Sequence, residues 1–168
     1  MNERTYMRVT REPAETRQLA ATLAPLLRPG DVVMLDGDLG AGKTHFVQGI
    51  AEGLGIEGDV TSPTFNILIT YTDGALELNH FDLYRLDSAD QLEDIGYWDV
   101  LEGDGVSFIE WGDKFPDDLP FDFLRMHFSV DDEGSRAIEI RACGERAHNL
   151  LGLWENVEAA QLTETDTL

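Results

Sequence analysis

The sequence predicts a three-layer α/β domain, a mixed sheet between helices with antiparallel β-hairpins added to it. Three observations carry that expectation. A short apolar run, Val32-Val33-Met34-Leu35, leads through a glycine-rich loop into an amphipathic helix. A second apolar run, Val106-Ser107-Phe108-Ile109, has the length and composition of another strand covered on both faces. Two pairs of strand-like segments meet at turn signals, Asp73-Gly74 and Asp131-Asp132-Glu133-Gly134, as hairpins do.

Taken in order, Thr5 to Thr10 reads as a strand, and Pro13 sits where a first helical turn tolerates it. Leu19, Leu23, Leu26 and Leu27 recur at helical spacing until Gly30 ends the helix. After the glycine loop, Phe46, Val47, Ile50, Ala51 and Leu54 mark one face of a helix stopped by Gly53 and Gly55. "TFNILITYT" and "ALELNHFDLY" form the first hairpin around Asp73-Gly74. Ser88 to Glu93 suits a short helix with a capping serine and an acidic first turn. Leu124, Met126, Phe128 and Val130 alternate and pair with "SRAIEIRAC". A helix from Glu145 to Ala159 presents Leu150, Leu151, Trp154 and Val157 on one face. Residues 1–160 are expected to be one domain, and residues 161–168 an acidic, frayed tail.

Composition narrows the function. The 168 residues, 42% hydrophobic and 9% aromatic, suit a globular domain with one core. Twelve basic against 33 acidic residues leave a formal net charge of -21, which repels polyanions and disfavours nonspecific binding to nucleic acid. The lone cysteine, Cys143, forms no internal disulfide and reads as a small buried hydrophobe, in keeping with a reducing compartment. Met1 to Arg11 holds no apolar signal core and no run approaches a membrane span, so a cytoplasmic location is expected.

The glycine loop carries the chemistry. Gly37, Gly42, Lys43 and Thr44 match G-x-x-x-x-G-K-[ST] in full, between a buried strand and an amphipathic helix. That context predicts a P-loop NTPase-type fold. The backbone from Gly37 through Asp38, Leu39, Gly40, Ala41 and Gly42 turns its N–H groups toward a β-phosphate, and the helix adds its positive end. Lys43 reaches the β- and γ-phosphates, and the Thr44 hydroxyl is placed for Mg2+. Lys43 is one of only two lysines in a chain that otherwise uses arginine, as suits a compact ammonium in a tight loop. The other, Lys114, follows Asp113, so the Asn-Lys-x-Asp segment that reads guanine is absent and ATP is the expected nucleotide. Asp131 to Gly134 imitates a D-x-x-G motif but lies between alternating strands and reads as a turn.

"GDLGAGKTHF", "TSPTF", "HFDLYRL" and "FIEW" occur in this order, and together they resemble the TsaE family, also called YjeE. The resemblance covers residues 10–140. It implies the P-loop ATPase of bacterial tRNA threonylcarbamoyladenosine synthesis, hydrolysing Mg-ATP to drive the cycle of a complex that contains TsaD and TsaB. That complex installs threonylcarbamoyl on adenosine 37 of tRNAs that read ANN codons, and the ATPase does not itself transfer the group. The implied partners are TsaD- and TsaB-like proteins, with tRNA reached only through them and no membrane. Turnover without partners is expected to be slow.

The resemblance and the residues assign roles together. Glu110 ends an apolar strand, where an acid is costly unless it faces a cleft or a cation. The resemblance makes it a metal carboxylate opposite Thr44. The resemblance implies that Asp82 is the second active-site acid, acting through the metal's water shell or by orienting the attacking water. Lys43, Asp82 and Glu110 are thus the expected catalytic set, and Thr44, Glu110 and Asp82 the expected metal set. Alternation puts His80, Asp82 and Tyr84 on one strand face, as site residues or as packed, hydrogen-bonded ones. Ser62 or Thr64 is placed to offer a hydroxyl to Mg2+ or the γ-phosphate, or else belongs to a plain turn. Family likeness puts Trp111 at the rim, and brings Arg136 and the loop from Trp111 to Lys114 toward the base. Trp98 and Trp154 read as packing residues. His45 stands where the family commonly has a small hydroxyl residue touching the α-phosphate. Two other readings compete. A small-molecule kinase would group arginines on a lid, whereas Arg125, Arg136, Arg141 and Arg146 are scattered. A nucleotide-dependent binding module would need Lys43 and no turnover.

Overall fold

The computed structural model describes residues 5–37 and 42–166, with side chains as far as residue 161. The chain runs β1 (Thr5–Thr10), α1 (Pro13–Leu23), β2 (Val32–Gly37), α2 (Lys43–Gly53), β3 (Leu68–Tyr71), β4 (Leu78–Asp82) and α3 (Asp90–Asp94). It continues with α4 (Tyr97–Leu101), β5 (Val106–Glu110), β6 (Phe123–Val130), β7 (Arg136–Cys143) and α5 (Glu145–Asp166).

One seven-stranded sheet has the order β1-β7-β6-β2-β5-β4-β3. Its centre is parallel, because β2 lies between β6 and β5, and β5 pairs in parallel with β4. Antiparallel pairings add β7 and β1 at one end and β3 at the other. The mixed sheet of a three-layer α/β fold, with hairpins at its ends, is therefore what the chain adopts. The parallel strands β2, β4 and β5 end side by side, which is where sheets of this kind present ligand sites.

Two apolar layers hold the helices to the sheet. On one face, residues of α1, α2 and α5 pack on Val33, Leu35, Phe108, Leu124, Met126 and Phe128. Phe46 of α2 is the hub, with its ring centroid 6.3 Å from Phe108, 6.0 Å from Phe128 and 6.2 Å from Trp154. Trp154 is fully buried, and its indole donates to the Thr22 hydroxyl at 2.8 Å. On the other face, Leu92, Tyr97 and Leu101 of α3 and α4 cover Met34, Phe81 and Ile109. Burial pushes the Tyr97 phenol far above its ordinary pKa. No helix among the described residues is long and apolar enough to cross a membrane.

Several boundaries differ from expectation for identifiable reasons. The helix of α1 stops at Leu23 and tightens into a 3-10 turn at Ala24–Leu26, where Pro25 cannot donate to a helical ladder. The first hairpin is not closed by a two-residue Asp73-Gly74 turn, because Tyr71 pairs with Leu78 and leaves six residues between the strands. Tertiary contact overrides the local signal: Ala75 N–H donates to Leu54 O, and Asp73 accepts from the N–H of Glu57. Ser88 does not cap α3, since the Gln91 side chain instead accepts from the N–H groups of Asp87 and Ser88. Helix α4 had no clear periodic signal in its five residues. Helix α5 continues beyond Ala159 to Asp166, with no proline or closing glycine to stop it. The turn at Asp131–Gly134 is as expected, with Asp131 accepting from the N–H groups of Glu133 and Ser135.

The base of α5 rests on an ion pair. Arg146 binds the buried Asp31 through two hydrogen bonds of 2.9 Å and donates a third to Leu26 O. Hydrogen bonding to Asp31 raises the guanidinium pKa further. Arg146→Ala removes the cation from that carboxylate and leaves it the Arg28 N–H at 2.8 Å, and breaking a buried pair from one side costs about 3–5 kcal/mol. A urea unfolding midpoint lowered by a matching amount is the expected result.

Candidate functional site

The site is built at the carboxyl ends of β2, β4 and β5. Gly37 closes β2 with φ +129°, and a Cβ there would collide with the carbonyl of Phe128, so no side chain fits. Gly42 opens α2 with φ +109°, a left-handed conformation that only glycine adopts without strain. Asp38, Leu39, Gly40 and Ala41, expected to bind phosphate, lie outside the described residues. Lys43 and Thr44 follow at the first turn of α2, where backbone N–H groups lack helical partners.

The β4–β5 register does the rest. Asp82 lies opposite Glu110, and His80 opposite Phe108, so β4 and β5 bring both acids to one edge. Four ionisable side chains are buried together there, with Lys43 5% exposed, His80 0%, Asp82 3% and Glu110 5%. Lys43 Nζ donates to Gly37 O at 3.0 Å, lies 3.8 Å from Glu110 Oε1, and stands 5.0 Å from the Trp111 ring centroid. Glu110 Oε2 is 2.7 Å from His80 Nε2. Asp82 Oδ2 accepts from the Thr64 hydroxyl at 2.9 Å, and Oδ1 accepts from Tyr84 N–H at 3.0 Å. Thr64 is in turn 2.7 Å from the Ser62 hydroxyl.

A cavity of about 540 Å3 is lined by Gly42, Lys43, Thr44, His45, Ser62, Thr64, Asp82, Tyr84, Glu110 and Trp111. Most of the expected site residues therefore meet on one wall or another. His45 faces this cavity while its Nδ1 sits 3.2 Å from Gln48 Oε1, a bond within its own helix. The Trp111 and Tyr84 rings meet at a tilt of 52°, centroids 5.0 Å apart, and Lys114 Nζ donates to Tyr84 O at 2.6 Å and lies over the Tyr84 ring. Gly37 and Lys43 also border a second cavity, of about 320 Å3, with Trp111, Arg125 and His127. Arg136 stands apart from the main cavity. Its Cγ lies 3.7 Å from where a Cβ on Gly42 would be, and its guanidinium donates to Gly134 O.

Two non-glycine residues have positive φ among the described residues, Ile67 at 66° and Trp111 at 62°. Trp111 lines the cavity, and Ile67 is bonded through its backbone to the cavity residue Asp82. A β-branched residue in this region carries strain of about 1–3 kcal/mol. Ile67 is held there by its N–H to Pro63 O at 2.6 Å and by its carbonyl, which accepts from Asp82 N–H at 2.7 Å. The "TSPTF" segment and Asp82 are thus tied twice, through backbone and through Thr64. Sequence reasoning did not find the Thr64–Asp82 or the His80–Glu110 bond. The shared strand face of His80 and Asp82 was the only signal for the second.

Fold and site define the class: a three-layer α/β domain carrying a G-x-x-x-x-G-K-T sequence, whose Lys43 and Thr44 share a cavity with two acids at the parallel strand ends. Known proteins narrow that class. Residues 10–138 match the model of the family described as threonylcarbamoyl adenosine biosynthesis protein TsaE. A tRNA threonylcarbamoyladenosine biosynthesis protein TsaE from Bacillus subtilis is 43% identical over 137 residues, covering 82% of this chain and 85% of its own. The protein of that name from Streptomyces coelicolor is 44% identical over 138 residues, covering 77% and 92%. Among solved structures, YdiB of Bacillus subtilis superposes with a TM-score of 0.81 at 34% identity, covering 94% of this chain and 99% of its own. The chain belongs to the TsaE family and so to threonylcarbamoyladenosine biosynthesis.

Thr64→Val keeps the shape of the side chain and removes the donor to the buried Asp82. A loss of about 1–2 kcal/mol in unfolding free energy is expected, as for any buried acceptor left unpaired. Denaturant titration of both proteins checks it.

Proposed function

We propose that this protein binds Mg-ATP at the Gly37–Thr44 loop and hydrolyses it to drive the cycle of a TsaD/TsaB-type complex in the cytoplasm. The observation that carries the reading is the convergence of Lys43, Asp82 and Glu110 on one cavity at the start of α2. Lys43 supplies a compact cation for the β- and γ-phosphates, and the helix N-terminus adds N–H donors. Asp82, held through both oxygens, is positioned to orient a water for attack.

The donor set fits Mg2+. Thr44, Asp82 and Glu110 offer hard oxygens, two of them carboxylates, against a single ammonium. No group of three or more His, Cys, Asp or Glu among the described residues forms a metal cage. Mg2+ typically needs none, since one or two carboxylates, phosphate oxygens and water complete its octahedron. When bound it neutralises charge developing on the phosphate oxygens. Thr44 and Glu110 would hold it, with Asp82 reaching it directly or through water.

The binding-module reading keeps one supporting observation: Asp82 has both oxygens engaged by its own chain. The same feature would make turnover by the protein alone slow, with TsaD- and TsaB-like partners completing the site. A surface at -21 leaves contact with tRNA to those partners.

Lys43→Ala should abolish nucleotide binding measured by calorimetry. Glu110→Ala should retain ATP binding and lose about 100-fold or more in phosphate release, measured with the partner proteins present. Absence of phosphate release by the wild-type assembly would favour the binding module. A pull-down from cytoplasm that retains no TsaD- or TsaB-like protein with either ATP or ADP would remove the partner assignment.

A further inference from the structure

His80 is fully buried, belongs to none of the roles above, and points at the acid on which the metal reading depends. A carboxylate only accepts, so the proton of this bond is on Nε2, which donates to Glu110 Oε2 at 2.7 Å. Nδ1 has no hydrogen-bond partner among the described residues, so this bond is the imidazole's polar attachment. The ring is set by β4, two residues before Asp82 and one pleat deeper than the Asp82–Glu110 pair.

The bond matters because of what the other oxygen faces. Glu110 Oε1 lies 3.8 Å from Lys43 Nζ, longer than a charge-assisted hydrogen bond of about 2.7–2.9 Å. The acid is thus shared between an imidazole behind it and an ammonium in front. With no donor behind, a buried carboxylate closes on the nearest cation, and its rotamer is no longer fixed. Glu110 would then draw Lys43 toward itself and turn its oxygens from the Thr44 side of the cavity.

We propose that His80 is a positioning residue, whose Nε2–H anchors Glu110 so that its carboxylate stays available to Mg2+ and does not collapse onto Lys43. The inference rests on the reading of Glu110 as a metal carboxylate and deepens it. Such outer hydrogen bonds to metal ligands commonly govern about 10- to 100-fold in metal affinity or activity.

The test is Mg2+ titration of the full chain with ATP, read by calorimetry, beside ADP binding in chelator and a thermal melt. His80→Leu removes the donor at similar size, and His80→Gln returns an amide N–H near the position of Nε2. The expected result for His80→Leu is a half-saturating Mg2+ concentration raised ~10- to 100-fold, with chelator-ADP affinity changed less than about threefold. His80→Gln should recover most of that shift. In a Glu110→Gln background, His80→Leu should add almost nothing, because the imidazole acts through that acid. Equal shifts in His80→Leu and His80→Gln, no shift in His80→Leu, or full additivity with Glu110→Gln overturns the proposal and leaves His80 as packing. Wild-type nucleotide binding that ignores Mg2+ overturns the metal reading itself, and this inference with it.

Discussion

The structure depends on burying charge at the ends of three adjacent strands. Lys43, His80, Asp82 and Glu110 are each at most 5% exposed, and each unpaired charge in such a place costs several kcal/mol. Their partners must come from different elements: a carbonyl at the end of β2, a hydroxyl from the "TSPTF" segment, and an imidazole and an acid on neighbouring strands. A one-residue slip of β4 against β5 would put His80 and Asp82 on the opposite face and undo all of it. The apolar core is what forbids the slip. Phe81 and Leu83 are packed under α3 and α4 on one side while Leu78 is packed under the helices of the other. Phe46, wedged among Phe108, Phe128 and Trp154, fixes the first turn of α2 against the same strands.

Local strain falls where this arrangement demands it. Glu110 must face inward at the end of β5, and the next residue must leave the sheet at once to keep the cavity open. Trp111 does so in a left-handed conformation and is held by its contacts with Lys43 and Tyr84. Ile67 is the other left-handed residue, turning the chain so that its carbonyl meets the N–H of Asp82. Strained residues persist only where neighbours over-determine them, and both of these have such neighbours.

The central strands and α2 were legible because their signals are local: unbroken apolar runs and a glycine-loop motif followed by 3.6-residue periodicity. The second hairpin was legible because Asp131 builds its turn from its own side chain. The first hairpin turn was misread since Asp73-Gly74 answers to Leu54 and Glu57, residues that lie beside it only after folding. Lys43 and Thr44, singled out by the loop motif, and Asp82 and Glu110, singled out by the family resemblance, line one cavity. The bonds that hold them could not be read from the sequence, because His80 and Glu110 are 30 residues apart and meet only through the parallel β4–β5 pairing. Asp38 to Ala41 remain readable from sequence alone.

The acidity of the chain and the cation at the loop are separable effects. A net charge of -21 spread over the surface acts through solvent and is screened beyond about 8 Å at physiological ionic strength. Inside the cleft the geometry is local and the dielectric lower, so one well-placed ammonium outweighs many distant carboxylates. Lys43 lines this cleft, and Lys114 reaches Tyr84 of its wall from outside. The two flank a tilted pair of rings in contact, with Lys43 against Trp111 and Lys114 against Tyr84. An arginine at position 43 would bring a planar fork that must find several acceptors. The compact ammonium needs only the Gly37 carbonyl and the edge of Glu110. That economy of contact is why the loop uses lysine in a chain that otherwise avoids it.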